Sequence, residues 1–188
     1  MRLYVGLVHY PVYNKHHERI ASAITTFDLH DLSRLAKTYG VKRLCVITPL
    51  QDQRELANRV MRHWTSGYGA TYNPNRKEAL ELISLCASIE DCVREVSELE
   101  KERPVLFTTD ASEKGTRRIG YSEASGMVRA GKVILLLLGT AWGLSEEVFD
   151  GADYFLDPIK THTDYNHLSV RSAAAIILDR LAGRAEGD

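Results

Sequence analysis

Two stretches of the sequence decide the fold: Leu-Leu-Leu-Leu-Gly-Thr-Ala-Trp-Gly-Leu, residues 135–144, and Tyr-Asn-His-Leu-Ser-Val-Arg-Ser-Ala-Ala-Ala-Ile-Ile-Leu, residues 165–178. The first belongs to an unbroken aliphatic run over 133–138, which is typical of a strand buried on both faces of a parallel sheet. The second places apolar residues at three- and four-residue spacing as far as Leu181, which predicts a helix. A polar loop over 157–169 leads into this helix.

Outward from these stretches, predicted strands and helices alternate along the chain. Strands are predicted at residues 2–9, 42–49, 82–87, 105–109, 133–138 and 154–156. Helices are predicted at 28–40, 51–64, 89–99, 122–130 and 170–181, with a loop over 66–75 and a short helix from Arg76. This alternation predicts one α/β domain over residues 1–188, with a mainly parallel sheet flanked by helices. Such sheets bind ligands beyond the carboxyl ends of their strands.

The composition is that of an ordinary globular protein, with 44% hydrophobic and 26% charged residues. The longest aliphatic run, 133–138, is far too short for a membrane-spanning helix. The first residues alternate like a strand and lack the pattern of a signal peptide, so we expect a cytoplasmic protein. The net charge of −1 gives no overall basic field, so any polyanion must be bound by a local basic patch.

No metal site is predicted from the sequence. Cys45, Cys86 and Cys92 are odd in number and widely spaced, so we expect three buried thiols and neither disulfides nor a zinc site. His162, Asp164 and His167 also lack a recognised metal-ligand spacing.

Three loops follow strands of the predicted sheet and are candidates for a ligand site: 108–112, 139–147 and 157–169. Gly139 and Gly143 would let backbone amides approach a ligand, and Trp142 between them is expected to be buried, in the core or as a pocket wall. Capping or packing roles remain open for all three loops. The glycines match neither the dinucleotide nor the phosphate-loop spacing. A flavodoxin-like enzyme for a phosphorylated metabolite is one alternative.

The two stretches quoted first resemble the last two motifs of the SPOUT RNA methyltransferases. The chain resembles, over nearly its whole length, a bacterial family of single-domain members that use S-adenosylmethionine (SAM). The resemblance implies a deep C-terminal trefoil knot, SAM as cofactor, a homodimer, and structured RNA (tRNA or rRNA) as substrate, methylated on a base or a ribose. A catalytically silent knotted module that binds SAM and RNA remains an alternative.

The resemblance also implies site residues. Residues 28–41 are similar to the opening motif of the ribose-methylating branch, with Arg34 at its catalytic arginine, and His30 and His167 complete the expected catalytic set. Asp28, Ala141 and His167 stand where that branch has asparagine, glutamate and asparagine. The expected cofactor-binding residues are Thr108, Thr109, Leu138, Gly139, Thr140, Trp142, Gly143, Leu144, Leu156, Ile159, Asn166, His167, Leu168 and Ser169.

Overall fold

Strands and helices alternate along the chain in the computed structural model, which describes residues 1–113, 117–163 and 165–184. The strands are β1 (Leu3–Val8), β2 (Val12–Tyr13), β3 (Arg19–Ile20), β4 (Arg43–Ile47), β5 (Ile83–Cys86), β6 (Val105–Thr108), β7 (Arg118–Ile119), β8 (Ile134–Gly139) and β9 (Tyr154–Leu156). The helices are α1 (Thr26–Thr38), α2 (Gln51–Thr65), α3 (Tyr68–Tyr72), α4 (Pro74–Leu80), α5 (Ile89–Glu100), α6 (Tyr121–Arg129), α7 (Glu146–Asp150) and α8 (Val170–Ala182). No helix among them is long and apolar enough to cross a bilayer.

Seven strands form one parallel sheet in the order β5-β4-β1-β8-β6-β9-β7. The chain builds β1, β4 and β5 towards one edge and then returns, and β8 later inserts between β1 and β6. In the register, Val8 pairs with Gly139, and Thr108 pairs with Leu137. The carboxyl ends of β1, β8 and β6 therefore lie side by side, at the reversal of strand order where such sheets bind ligands. The predicted parallel α/β architecture is confirmed.

The core lies on both faces of the sheet, and β8 contributes to each in alternation. Ile134, Leu136 and Leu138 pack on one face with apolar residues of α1, α6 and α8. Leu135 and Leu137 pack on the other face with residues of α5 and α7. Because both faces are covered, every residue of the aliphatic run is buried, as predicted for a central parallel strand.

Several short elements were not predicted. The expected loop over 66–75 contains α3, and the β2–β3 hairpin, β7 and α7 were also missed. These elements have two to five residues, so their sequence patterns are too short to read. Helix α1 begins at Thr26, earlier than predicted, because the Thr25 side chain caps it by accepting a hydrogen bond from the Asp28 amide at 3.2 Å.

Candidate functional site

A cavity of about 820 Å³ opens beyond the carboxyl ends of β1, β6 and β8, and we call it the main cavity. All three predicted loops reach it, because the strands they follow are near neighbours in the sheet. The beginnings of α1 and α8 close two of its sides. Its lining consists of His9, Ser22, Ala23, Thr25, Asp28, Thr109, Asp110, Ala111, Tyr121, Leu138, Gly139, Thr140, Ala141, Trp142, Gly143, Asp157, Pro158, Ile159, Asn166, His167, Leu168, Ser169, Val170, Ala173 and Ile177.

The loop after β8 has a backbone shape that requires glycine at two positions. A Cβ on Gly139 would lie 2.8 Å from the amide nitrogen of Leu144, within the loop itself. Gly143 has a φ of +97°, and a Cβ there would lie 3.1 Å from an oxygen of Asp110. From the sequence, both close approach of a ligand and packing of the turn remain open as reasons for these glycines. The structure shows that the loop's own turn already demands them.

The β2–β3 hairpin braces this loop from outside. The Trp142 amide donates to the Tyr13 carbonyl at 3.0 Å, and the Tyr13 amide donates to the Gly143 carbonyl at 2.9 Å. Trp142 itself is 63% exposed at the rim of the cavity. The expectation that Trp142 is buried is therefore wrong, because the hairpin holds its backbone on the outside of the loop.

A buried ion pair joins α1 to α8 at the wall of the cavity. Asp28 is only 5% exposed. One of its carboxylate oxygens accepts a hydrogen bond from Arg171 Nη1 at 2.7 Å, and the other accepts from the Thr25 hydroxyl at 2.6 Å. Arg171 also contacts Asp31 at 3.3 Å. Arg171 lies in the motif over residues 165–178 but was not predicted as a site residue, because its partner Asp28 is 143 residues away in the chain.

His9, immediately after β1, is the second residue that the sequence analysis missed. Its Nδ1 lies 2.9 Å from the Ser22 hydroxyl, which lies 2.6 Å from the Thr140 hydroxyl, and Thr140 donates to the Val8 carbonyl at 3.0 Å. Because the Thr140 hydroxyl donates to the Val8 carbonyl, it must accept from the Ser22 hydroxyl, and Ser22 must in turn accept from His9 Nδ1. This direction makes His9 the Nδ1–H tautomer, with a lone pair on Nε2.

The remaining nitrogen of His9 is what makes the residue a site candidate. Nε2 is buried and finds no hydrogen-bond partner among the described residues. Burial lowers the pKa of His9 to about 4, against a smaller opposing effect of Asp28, so the ring is neutral near pH 7. Native proteins rarely leave a buried acceptor unpaired. His9 thus places an unused acceptor in the cavity wall.

The third loop is tied to the first across the mouth of the cavity. Asn166 donates from Nδ2 to the Ala111 carbonyl at 2.7 Å. Ser169 caps α8 by accepting from the Ser172 amide at 3.2 Å. Tyr165 and His167 are exposed beside each other, with ring centroids 5.3 Å apart. The loop therefore presents polar and aromatic groups at the entrance.

Most of the predicted cofactor-binding residues line the main cavity: Thr109, Leu138, Gly139, Thr140, Trp142, Gly143, Ile159, Asn166, His167, Leu168 and Ser169. Thr108, Leu144 and Leu156 are buried in the layer behind the lining.

Of the predicted catalytic residues, only His167 lines the cavity. Arg34 is exposed on α1, and His30 packs edge-on against Trp64 at 5.4 Å, where burial lowers its pKa. His162, Asp164 and His167 are not predicted to bind a metal, and Asp164 lies outside the described residues.

Comparison with known proteins places this geometry in a family. A family model described as SAM-dependent RNA methyltransferase matches residues 2–183. A tRNA (guanine-N(1)-)-methyltransferase of Oleidesulfovibrio alaskensis is 41% identical over 183 residues, which are 97% of this chain and 42% of that protein. An uncharacterized protein of Aquifex aeolicus is 33% identical over 187 residues, which are 99% of this chain and 91% of that protein.

Solved structures share the fold at low sequence identity. A probable methyltransferase from Bordetella pertussis has a TM-score of 0.64 at 16% identity, covering 96% of this chain and 94% of that chain. The SpoU methyltransferase AviRb from Streptomyces viridochromogenes, in complex with the cofactor AdoMet, has a TM-score of 0.57 at 17% identity, covering 96% of this chain and 58% of that chain.

The present chain spans about two fifths of the length of the Oleidesulfovibrio relative, so the activity in that relative's name belongs to a much longer protein. The family model, by contrast, covers this chain almost from end to end. The expected membership in a family of SAM-dependent RNA methyltransferases, the α/β fold and the use of SAM are therefore confirmed. The chain belongs to the family of SAM-dependent RNA methyltransferases.

Proposed function

We propose that the protein binds SAM in the main cavity and methylates a base in a structured RNA, with tRNA as the substrate. The observation that carries the proposal is the convergence of the three loops and α8 on one cavity. Its volume of about 820 Å³ lies in the range of cofactor sites, roughly 300–1,000 Å³. The glycine-shaped turn after β8 and the unpaired Nε2 of His9 supply backbone and side-chain polar groups that suit a polar cofactor.

The chain's own residues would hold the cofactor mainly through the loop backbone. Residues 139–143 offer main-chain groups, while Leu138, Ile159 and Leu168 offer apolar surface. When bound, SAM supplies a methyl group on a sulfonium, which is transferred by in-line displacement. The protein then has to position the acceptor and, for a ring N–H, take up its proton. His167, at the cavity mouth, is the proposed proton acceptor.

Two observations favour a base over a ribose as the methylated group. The ribose-methylating branch has an arginine and an asparagine at the positions of Arg34 and Asp28. Asp28, which stands at that branch's asparagine, is occupied by its ion pair with Arg171. The name of the Oleidesulfovibrio relative, which specifies a guanine nitrogen of tRNA, points in the same direction.

Exposed aromatic side chains at the cavity rim support RNA as the substrate. Trp142 lines the cavity and is 63% exposed, and Tyr165, which precedes the lining residue Asn166, is 74% exposed. Aromatic rings in such positions stack on unpaired bases, which is how proteins usually read single-stranded RNA. On α1, His30 and Arg34 would contact the RNA backbone.

The proposal includes a wider arrangement that follows from the resemblance. The chain is one domain whose C-terminal segment forms the trefoil knot, and it works in the cytoplasm as a homodimer. In the dimer, α1 of one subunit brings Arg34 and His30 to the cavity of the other. This would explain why a residue at the catalytic position of the motif lies outside the cavity lining of its own chain.

Calorimetric titration and methyl-transfer assays test the proposal. We expect SAM to bind with one site per chain, and ATP or GMP to bind far more weakly. Labelled methyl groups should then pass to tRNA, and nucleoside analysis should find them on a base. Binding of nucleotides without SAM would instead support an enzyme for phosphorylated metabolites, and methyl groups on ribose would refute the base assignment.

A variant pair tests the aromatic rim. Trp142→Ala should lower the rate of methyl transfer to RNA by roughly 10-fold or more, the equivalent of one lost stacking contact, and leave SAM affinity within about 2-fold. Tyr68→Ala is the control, because Tyr68 is 77% exposed on α3 but does not line the cavity. Equal effects of the two substitutions would contradict the assignment of Trp142.

A further inference from the structure

Three cysteine side chains from separate elements meet on the sheet face opposite α1 and α8. Cys45 lies in β4, Cys86 ends β5, and Cys92 lies in α5. All three are buried, as the sequence analysis expected, and their Sγ atoms all lie within 4.8 Å of one another. Within residues 1–113, 117–163 and 165–184, these cysteines form the single group of three side chains suited to holding a metal ion. None of them lines the main cavity.

The strand register explains how the cysteines come together. Side chains two apart in a strand share a face, so Cys45 and Ile47 point to the same side of the sheet. Ile47 pairs with Cys86, which places Cys45 and Cys86 diagonally across β4 and β5. Ser88 caps α5 through the Asp91 amide, which fixes the first turn of the helix above them. Cys92 lies in that turn and packs into the same apolar cluster.

A carboxylate completes the group. Glu95, one turn after Cys92, places Oε2 at 3.6 Å from Cys86 Sγ. The same oxygen accepts a hydrogen bond from Ser84 at 2.8 Å, and the other oxygen pairs with the Arg43 guanidinium. Ser84 and Arg43 therefore hold the carboxylate beside the Cys86 sulfur. Oriented ligands with such outer partners are characteristic of metal sites.

We propose that Cys45, Cys86 and Cys92 bind a Zn²⁺ ion as thiolates, with Glu95 as the fourth ligand. Thiolates select soft cations, and a closed set of four sulfur, nitrogen or oxygen ligands is typical of structural zinc. Tetrahedral coordination with Zn–S bonds of about 2.3 Å places sulfur atoms ~3.8 Å apart. The thiols need to move together by about 1 Å or less from their present separations.

The binding reaction and its structural effect follow from the chemistry. Three thiols each release one proton as Zn²⁺ binds, so affinity falls as pH is lowered. The complex carries a charge of −1 from the metal and three thiolates, and Arg43 neutralises the charge of Glu95. The ion would link three elements: β4, the edge strand β5 and helix α5. This role does not depend on methyl transfer.

Direct metal binding tests the site. The full chain, stripped with a chelator and kept reduced, is titrated with Zn²⁺ against a chromophoric competitor and, separately, with Co²⁺. We expect one ion per chain, release of about three protons, and thiolate-to-cobalt absorption whose intensity corresponds to three sulfur ligands. Absence of binding in the reduced chain would overturn the proposal, and so would a cobalt spectrum without thiolate absorption.

Variants locate the ion. Cys92→Ala should weaken Zn²⁺ binding by at least about 100-fold, and Ser84→Ala, which removes only a partner of Glu95, by about 10- to 100-fold. Val96→Ala is the matched control, because Val96 is a buried neighbour on the same helix with no ligand atom. If Cys92→Ala does not fold, Ser84→Ala and the cobalt spectrum of the unmodified chain still decide. If Cys92→Ala and Ser84→Ala both leave the affinity for Zn²⁺ unchanged, the proposed site is refuted.

Discussion

Gly143 carries the conformational demand of the loop after β8. Its φ of +97° is unfavourable for any residue with a Cβ, so Gly143→Ala should cost about 1–2 kcal/mol of folding stability. We also expect SAM affinity to fall by roughly 10-fold, because the loop that faces the cavity must shift to relieve the strain. Denaturant unfolding and calorimetry measure both effects. Gly126→Ala is the control: it lies in α6 with open space at its Cβ position and should be neutral or stabilising.

His9 should make folding stability depend on pH. The folded protein keeps His9 neutral down to about pH 4, whereas the unfolded chain protonates it below about pH 6.5. The unfolded state therefore binds more protons in this window, and stability falls as pH decreases from 6.5 to 4, by roughly 3 kcal/mol in total. Urea unfolding of the wild type and of His9→Asn across this range should show that the substitution removes most of the dependence.

Two further histidines help to interpret that experiment. His30 has its pKa lowered by burial as well, so it contributes a dependence of the same sign that His9→Asn leaves in place. His16, on an exposed loop, provides the control substitution His16→Asn. If the wild type and His9→Asn lose stability in parallel between pH 6.5 and 4, His9 is not neutral in the folded protein.

At the scale of elements, the Asp28–Arg171 pair fixes α8 against α1. Arg171→Met would leave a carboxylate that is 5% exposed without its cation, and we expect a loss of about 1–3 kcal/mol. This loss is smaller than the roughly 3–5 kcal/mol of fully buried pairs, because the Arg171 side chain is one third exposed and its charge is partly screened by solvent. Asp28→Asn should cost less, since the amide oxygen still accepts the hydrogen bond from Arg171 while the amide nitrogen donates to the Thr25 hydroxyl oxygen.

A matched surface pair controls for the loss of an arginine. Arg94 pairs with Asp91 on α5 and is 65% exposed, so Arg94→Met should change stability by no more than about 0.5 kcal/mol. Chemical denaturation of the three variants and of the double variant Asp28→Asn/Arg171→Met gives the coupling energy. Additive effects would show that the pair does not dock α8.

At the scale of the whole molecule, mixed dimers test whether α1 serves the partner's cavity. Arg34→Ala should reduce methyl transfer while leaving SAM affinity intact, because Arg34 does not line the cavity of its own chain. At a SAM concentration well below its Kd, mixed dimers of Arg34→Ala and Gly143→Ala chains should then be more active than either variant homodimer, since one site combines an intact cavity with the partner's Arg34. Light scattering verifies the dimer. A monomer, or mixed dimers without regained activity, would contradict this arrangement.

Local sequence patterns were enough to predict the architecture and the loops that line the main cavity. The aliphatic run over 133–138 predicted a strand covered on both faces, and the spacing of apolar residues up to Leu181 predicted a helix, as the structure has them. Because ligands bind at the carboxyl ends of parallel strands, the loops that follow such strands were sufficient to predict most of the cavity lining. These features depend on periodicity and chain order, which are local.

Which distant side chains become partners depends on the tertiary structure. Arg171 meets Asp28, His9 joins a hydrogen-bond chain through Ser22, and three separated cysteines converge beneath α5. A sequence shows none of these pairs, because each depends on strand order and register that bring together residues far apart in the chain. Arg34 lies outside its own chain's cavity for a similar reason. The spacing of its motif is visible in the sequence, but the packing of α1 sets which side of the helix faces the cavity.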